Sequence, residues 1–426
     1  MHRKAARSTF PKSNKTTTRP SGCCAQAWAM AQCESLEMRR LLAYATPPGA
    51  LATPGCGCAS CRLAAQFQQQ QVAALNAPKV VKKAGQGPMI DNGGMSGNPN
   101  AYQIGGRWSS TATHGNTAVG TGVTLTYSIV PDGTLVGQNG IPGESISGSN
   151  FRAKMDAIYG NMATWLPIVQ SVFTSWSAIS GITYIYEPND DGAAWLSAPG
   201  QIGFRGDIRM SAHPVDGAFN VLAYNFFPNT GDMVIDSDDL SAGGFMVGTG
   251  QQSRALRNVM AHENGHGLGF SHVDPTNNTK LMEAFASTNF DGPQYDDMLA
   301  VQRSYGDVYE KQANPNNTAA NAVNRGTLAD GLDSVQKLAV STTTDQDWFK
   351  FDIATNRSVT VNVTPVGGTY LQGPQNGTTT SFNGSSQANL QVTLFASNGT
   401  TQLAIANTNA IGMSETIIGM NLAAGT

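Results

Sequence analysis

Three of the chain's six histidines lie within residues 262–272, which read HENGHGLGFSH. On an α-helix, residues four apart lie on one face, so His262 and His266 can direct their imidazoles at one metal ion. Three protein ligands that leave one coordination position open are typical of catalytic rather than structural zinc. The spacing therefore predicts one catalytic zinc ion, bound by His262, His266 and His272.

Two other residues of this segment fit the same chemistry. Glu263 adjoins the first ligand and can accept a proton from a water that the metal activates. Gly269 can adopt a left-handed backbone that ends the helix and turns the chain, so that His272 reaches the metal. Two alternatives are a helix with solvated histidines and a structural zinc site, for which Asp274 is the nearest fourth ligand.

The elements that must position these residues can be read from the apolar pattern. Residues 123–129 alternate as a half-buried strand does. Apolar residues recur at spacings of three and four from Phe151 to Trp176, which predicts a long helix with Pro167 as a kink or break. Further strands are predicted at 182–186, 202–210, 220–228 and 231–239, and the zinc helix at 253–268.

Composition limits the class of protein. The chain has 426 residues, of which 13% are charged and 47 are glycine, and its formal net charge is -3. This length suits two or three domains, and the composition favours a β-rich, loop-rich extracellular protein. The small net charge argues against nucleic-acid binding. No run of 18 apolar residues occurs, so we expect no transmembrane segment.

Several motifs together resemble one family. The zinc segment is followed by Met282 and by residues 296–306, which read DDMLAVQRSYG, and it is preceded by a Leu222-Ala223-Tyr224 strand and a GDMVID strand. In this combination and order, residues 105–310 resemble the catalytic domain of matrixins, a branch of the metzincin zinc proteases. The resemblance implies an α+β fold: a twisted, mostly parallel sheet with an antiparallel edge strand, and three helices.

The resemblance also implies roles for individual residues. Met282 would pack beneath the zinc ligands as a hydrophobic base. A substrate would pair with the edge strand, formed by Val221, Leu222, Ala223 and Tyr224. Acidic positions that hold calcium in the family are retained as Asp216, Asp236 and Asp239, for which a solvated acidic loop is the alternative.

Two departures from the family pattern matter. Tyr224 and Val234 stand where animal matrixins have histidine ligands of a second, structural zinc, and His213 with Asp216 cannot complete that site. We therefore expect one zinc ion, not two. Glu283, Ala284 and Phe285 follow Met282 where the animal enzymes usually have Tyr-Pro, so the preference of the adjoining substrate pocket is open.

The two ends of the chain differ from this domain. Residues 1–45 form a basic leader, in which residues 34–43 (ESLEMRRLLA) resemble a segment of exported planctomycete proteins. Residues 46–104 are a low-complexity linker or propeptide-like region. All six cysteines precede position 62, and those at 56–61 are open to metal binding, disulfides or latency, the PGCG sequence only loosely resembling the matrix metalloproteinase cysteine switch.

Beyond a linker at 311–326, residues 327–426 alternate in short strands. The sequences DQDWFKFDI at 345–353 and LQVTLFASNG at 390–399 resemble the bacterial pre-peptidase C-terminal domain, a β-sandwich. That family continues with another strand after Ala-Gly-Thr, so we expect this chain to be truncated or a fragment.

The prediction for the whole chain is a secreted or cell-surface, monomeric zinc metalloendopeptidase that hydrolyses extended proteins or peptides, with Glu263 as general base. The alternative is a catalytically silent binding or adhesion protein that keeps the metzincin fold. Such a protein would show a lost ligand or a lost glutamate, and the sequence retains both.

Overall fold

A computed structural model describes residues 33–37, 41–44 and 104–425, with gaps at 114–117, 138–140, 142, 198, 248–252 and 312. Cys56, Cys58, Cys61, most of the predicted leader and almost all of the 46–104 region lie outside the described residues. No helix in the described part of the chain is long and apolar enough to cross a membrane.

The first part of the chain is built on one large sheet. The strands up to β9 are β1 (Cys33–Glu37), β2 (Leu41–Tyr44), β3 (Val123–Ile129), β4 (Leu135–Val136), β5 (Ser147–Gly148), β6 (Ile182–Tyr186), β7 (Ile208–His213), β8 (Val221–Phe226) and β9 (Met233–Asp236). Seven of them form the sheet, in the order β2-β1-β8-β9-β7-β3-β6. Strand β3 is parallel to β6 and β7, β7 is parallel to β9, and β8 is antiparallel to β9. The predicted mostly parallel sheet with an antiparallel strand is therefore confirmed.

Among the residues that the structure describes, this part has four α-helices, where three were predicted. They are α1 (Phe151–Tyr159), α2 (Met162–Ser177), α3 (Arg254–Gly267) and α4 (Tyr295–Tyr305). The helix expected over 151–176 breaks at Gly160, whose φ of 98° lies in the left-handed region that favours glycine, whereas Pro167 lies inside α2. The strand expected from residue 202 begins only at Ile208, because Gln201 and Arg205 bridge each other across a turn.

Helices α2 and α3 are joined to the sheet by one hydrophobic core. Tyr127 of β3 stacks on Phe173 of α2 with ring centroids 3.8 Å apart. The Trp176 indole N–H donates to the carbonyl of Ala261 on α3 at 3.0 Å, so this fully buried ring of α2 also forms a hydrogen bond to the predicted zinc helix. These contacts fix the position of α3 before any metal is considered.

The edge strand β8, which was predicted to bind substrate, is paired in the structure. Strand β1 runs antiparallel to β8, with Ser35 opposite Tyr224 and Leu36 opposite Ala223. Strand β2 pairs in turn with β1, so both strands of the export-like segment join the sheet. A segment that we assigned to a leader thus occupies the edge at which a substrate was expected.

In the described residues, the strands of the C-terminal region form two- and three-stranded sheets. The β-sandwich expected for this region remains a prediction. Its strand β14 pairs antiparallel with β15 and also with β10, which directly follows the third predicted zinc ligand, so that Val273 lies opposite Pro374. The Tyr370 hydroxyl donates to Asp296 of α4 at 2.6 Å. The remaining strands are β10 (Val273–Asp274), β11 (Val323–Thr327), β12 (Phe349–Asp352), β13 (Arg357–Val363), β14 (Thr369–Pro374), β15 (Thr380–Asn383), β16 (Val392–Phe395), β17 (Gln402–Ala406) and β18 (Glu415–Leu422).

Asp297 links helix α4 to the turn that carries Met282. Its buried carboxylate accepts the N–H groups of Leu281 (2.9 Å), Met282 (3.2 Å) and Gln294 (2.7 Å).

We expect Asp297→Ala to lower the free energy of unfolding by about 3 kcal/mol or more, because three N–H groups lose their acceptor. Urea unfolding measures this, with the exposed Asp330→Ala as control. A difference between the two variants below about 1 kcal/mol would contradict the assignment.

Candidate metal centre and active site

The three predicted zinc ligands converge on one point. Helix α3 presents His262 and His266 on one face, and Gly269, with a φ of 103°, turns the chain so that His272 approaches them. A Cβ at position 269 would overlap the backbone of Gly106, so only glycine fits this turn. The Nε2 atom of His262 lies 2.9 Å from that of His266 and 3.1 Å from that of His272, and the latter two are 3.1 Å apart.

In each imidazole ring, the hydrogen-bond partner of Nδ1 determines which tautomer is present. The Nδ1–H groups of His262 and His266 donate to the carbonyls of Leu281 (2.7 Å) and Phe270 (2.6 Å), and that of His272 donates to Gln375 Oε1 (3.0 Å). All three acceptors are oxygens without a proton, so every Nε2 presents a lone pair to the common centre. Tetrahedral zinc with bonds of about 2.0–2.1 Å would hold such atoms about 3.3 Å apart. The donor set therefore fits zinc.

Burial keeps the first ligand in its neutral form. The pKa of His262 lies well below the ordinary 6.5, because burial disfavours the charged ring and because His266 and His272 are close. Below pH 6.5 the unfolded chain takes up a proton that the folded chain does not, so acid favours unfolding.

We accordingly expect the free energy of unfolding of the zinc-free chain to contain a component that falls as the pH is lowered from about 7.5 to 5.5, by at most about 1.4 kcal/mol per pH unit. Urea unfolding of wild type and His262→Gln across this range isolates it, because other titrating groups are common to both. Identical pH slopes for the two proteins would show that His262 does not contribute.

Glu263 and Met282 are the polar and the apolar residue that the sequence predicted beside the three histidines. Glu263 is fully buried beside His262. Met282 lies beneath the zinc helix, where a Cβ at position 265 would overlap its sulfur. Gly265, between the two helical ligands, thus allows the methionine of the predicted Met turn to pack directly under them.

Gln375 is a residue at this centre that the sequence did not reveal. It follows β14 in the C-terminal region and accepts the Nδ1–H of His272 across 103 positions of the chain. The neighbouring Asn376 N–H donates to Asp274 Oδ2 at 2.7 Å, which fastens the same turn beside the ligand. No local pattern around Gln375 signals this role, because the contact depends on how the C-terminal region packs against β10.

Asp274 and Glu283 are both engaged away from the metal centre. In the described residues, the ligand atoms within 4.8 Å of one another at this centre come from the three histidines and do not include Asp274. Glu283, after the Met turn, accepts the N–H groups of Asn278 (2.6 Å), Thr279 (2.8 Å) and Lys280 (2.9 Å). The alternative of a structural zinc with Asp274 as fourth ligand therefore lacks geometric support.

The positions of the family's second zinc hold a hydrogen-bonded network. His213 Nε2 contacts Glu144 Oε1 at 3.0 Å, and Tyr224 donates its hydroxyl to the same oxygen at 2.6 Å. Ser147 Oγ lies 2.9 Å from His213 Nδ1. Glu144, which the sequence did not single out, is the residue on which this network converges. The expectation of one zinc ion stays a prediction.

The three acidic residues predicted to hold calcium are mainly acceptors of backbone N–H groups. Asp239 accepts the N–H of Phe219 at 3.0 Å, Asp216 that of Val221 at 3.1 Å, and Asp236 that of Asp238 at 2.8 Å. Burial, mainly, raises the pKa of Asp236 to about 6. Within the described ranges, carboxylate oxygens of Asp216, Asp236 and Asp239 do not form a group that lies within 4.8 Å of one another. A calcium ion bound by these three residues therefore stays a prediction.

Two comparisons with known proteins report similarities to this chain. Residues 160–306 match the family model of the matrixins. Within the curated proteins, the chain is similar to the Metalloendoproteinase 4-MMP of Arabidopsis thaliana, with 27% identity over 167 residues. That alignment covers 38% of this chain and 46% of the relative, so the chain spans less than half the length of the curated protein that it matches. Both similarities point to a metalloprotease.

Proposed function

We propose that this protein is a zinc-dependent endopeptidase. The observation that carries the proposal is the convergence of three Nε2 lone pairs, each fixed by an acceptor on the opposite nitrogen, beside a buried glutamate. A ligand set of three histidines leaves a position for water or substrate, which a structural site would not require. The matrixin match and the plant relative's name support the same reaction class.

The residues of this chain would divide the work as follows. His262, His266 and His272 would hold zinc, which when bound supplies a Lewis acid that polarises the scissile carbonyl and lowers the pKa of water. Glu263 accepts the proton of the attacking water at its carboxylate and passes it to the leaving amine. Gln375, Leu281 and Phe270 hold the imidazoles in the tautomer that this arrangement needs.

Strand β8 is the proposed binding edge for an extended substrate. Its pairing with β1 shows the backbone geometry that this edge accepts, an antiparallel strand with Leu36 opposite Ala223. Backbone pairing gives affinity without demanding one sequence, so cleavage within chains is favoured over cleavage at chain ends. A substrate that uses this edge must displace β1. We further propose secretion, supported by the likeness of residues 34–43 to export segments.

The test is digestion of an unstructured protein by the full chain with zinc, with and without a chelator, followed by mass spectrometry of the fragments. We expect internal cleavages that stop with chelator and return when zinc is added. Binding of the same protein without any cleavage, at one zinc per chain, would favour the catalytically silent alternative.

A further inference from the structure

A second group of ligand atoms lies where the matrixin-like part meets the C-terminal region. Asp307 and Glu310 follow helix α4, the latter on the 3-10 turn Val308–Lys311, and Asp347 directly precedes Trp348 and β12. One carboxylate oxygen from each of the three lies within 4.8 Å of the others. Asp345 stands nearby, so the acidic part of the DQDWF sequence is packed against the end of the matrixin-like part.

This cluster is buried without enough partners for its charge. Asp307 is fully buried and Glu310 is only 5% exposed. Among the residues that the structure describes, no N–H or O–H group donates to either carboxylate oxygen of Glu310, and its side chain interacts with the carboxyl group of Asp307. Burial, together with Asp307, Asp347 and Asp345, raises the pKa of Glu310 to about 9, and burial with Asp307 and Asp345 raises that of Asp347 to about 7. Within the described part of the chain, the charged groups that shift these two pKa values are other carboxylates, so the negative charge of the cluster is not balanced by them.

Asn316 supplies an independent sign of a missing ligand. Its side chain is fully buried, and its Nδ2 donates to Asp347 Oδ1 at 3.0 Å. Its backbone carbonyl accepts the N–H of Trp348 at 2.8 Å, which holds the residue against the cluster. The amide oxygen Oδ1 has no partner within the described part of the chain. Calcium sites in proteins are typically formed by carboxylate oxygens together with amide carbonyl oxygens such as this one.

A proton shared between Asp307 and Glu310 is the competing explanation. Asp307 already accepts the N–H groups of Tyr309 (2.8 Å) and Ala339 (3.0 Å). A shared proton would satisfy Glu310 but would leave the Asn316 oxygen unpaired. A cation would satisfy both with one ion.

We propose that Asp307, Glu310, Asp347 and the side-chain oxygen of Asn316 bind one calcium ion, which joins the end of helix α4 to the start of the C-terminal strands. Calcium–oxygen bonds of 2.3–2.6 Å place opposite ligands about 5 Å apart, so three carboxylate oxygens that lie within 4.8 Å of one another can contact a single ion. An all-oxygen set disfavours zinc or copper, and a buried set with few waters disfavours magnesium. This site is separate from the one predicted at Asp216, Asp236 and Asp239.

Terbium, which replaces calcium at oxygen sites, tests the proposal in the zinc-loaded full chain after calcium removal. Trp348 adjoins Asp347, so its excitation should sensitise a bound terbium ion. We expect a saturable emission that calcium displaces and an equal concentration of magnesium does not. We also expect calcium to raise the midpoint of thermal unfolding. Trp348→Phe should remove most of the emission but keep the calcium effect on the midpoint.

Two nearly isosteric variants, Asp347→Asn and Glu310→Gln, each remove one charged ligand. We expect each to weaken terbium and calcium binding about tenfold or more. The controls are Asp330→Asn, an exposed carboxylate, and Asp239→Asn, at the other acidic group, and both should leave the Trp348-sensitised signal unchanged. Absence of emission in the wild type, or emission that persists unaltered in Trp348→Phe, would overturn the proposal. These two measurements decide the matter even if a charge variant fails to fold, and neither depends on proteolysis.

Discussion

Replacing Glu263 with glutamine should reduce kcat/KM for peptide hydrolysis by about 10²–10⁴-fold while the chain keeps its zinc. The glutamine side chain has the same shape but cannot accept a proton from the attacking water at neutral pH. Glu263 is not a zinc ligand in the proposed arrangement, so the metal content measured by elemental analysis should stay near one per chain. Steady-state cleavage of a fluorogenic peptide, together with that measurement, separates loss of chemistry from loss of metal.

The matched control is Glu187→Gln, a buried glutamate of the same domain that accepts the N–H groups of Asn189 (3.1 Å) and Gly203 (2.7 Å). It should retain activity near that of the wild type, apart from any loss of folded protein. Equal kcat/KM for the wild type and Glu263→Gln would refute the assigned mechanism. Zinc lost from Glu263→Gln would instead assign this residue a structural role at the metal.

Replacing Gln375 with alanine should weaken zinc binding about 10–100-fold, although Gln375 touches no zinc ligand atom. Its carbonyl oxygen accepts the Nδ1–H of His272, which fixes the ring and the tautomer that presents Nε2. Without this acceptor the ring can rotate or move its proton to Nε2, and either change competes with the metal. Competition between the protein and a chromophoric chelator measures the zinc affinity directly.

A positioning role is distinguished from a packing role by the conservative variant. Gln375→Glu keeps an acceptor at the same place, so its zinc affinity should return to within a few-fold of the wild type. Gln402→Ala, an exposed glutamine on β17, is the control and should change nothing. If Gln375→Glu binds zinc as weakly as Gln375→Ala, the hydrogen bond between Gln375 and His272 does not determine the zinc affinity.

The contact between Gln375 and His272 would extend the proposed catalytic unit beyond the family match. The matrixin match ends at residue 306, yet His272, a proposed zinc ligand, contacts the turn that follows β14. The calcium site proposed at Asp307, Glu310, Asp347 and Asn316 would act at the same junction. A fragment that ends near residue 310 would lose both connections, so we expect weaker zinc binding from it than from the full chain.

By itself the sequence determined the features that depend on local geometry. Residues four apart share a helix face, so His262 and His266 were assignable as a pair, and Gly269 predicted the turn that returns His272. The bounds of the zinc helix differ from the prediction by one residue at each end, because its apolar period is regular and a glycine follows it. The alternation of residues 123–129 likewise predicted strand β3, whereas the mostly parallel sheet was implied by the resemblance to matrixins.

Tertiary structure alone decided the features that depend on residues far apart in the chain. Four contacts join segments that no local pattern links. They are the hydrogen bond between His272 and Gln375, the hydrogen bonds from the Met turn to Asp297, the pairing of β1 with β8, and the network around Glu144. The structure also placed the helix break at Gly160, which takes a left-handed backbone, and kept Pro167 inside α2. Local period and spacing specify ligands. The packing of distant segments orients them.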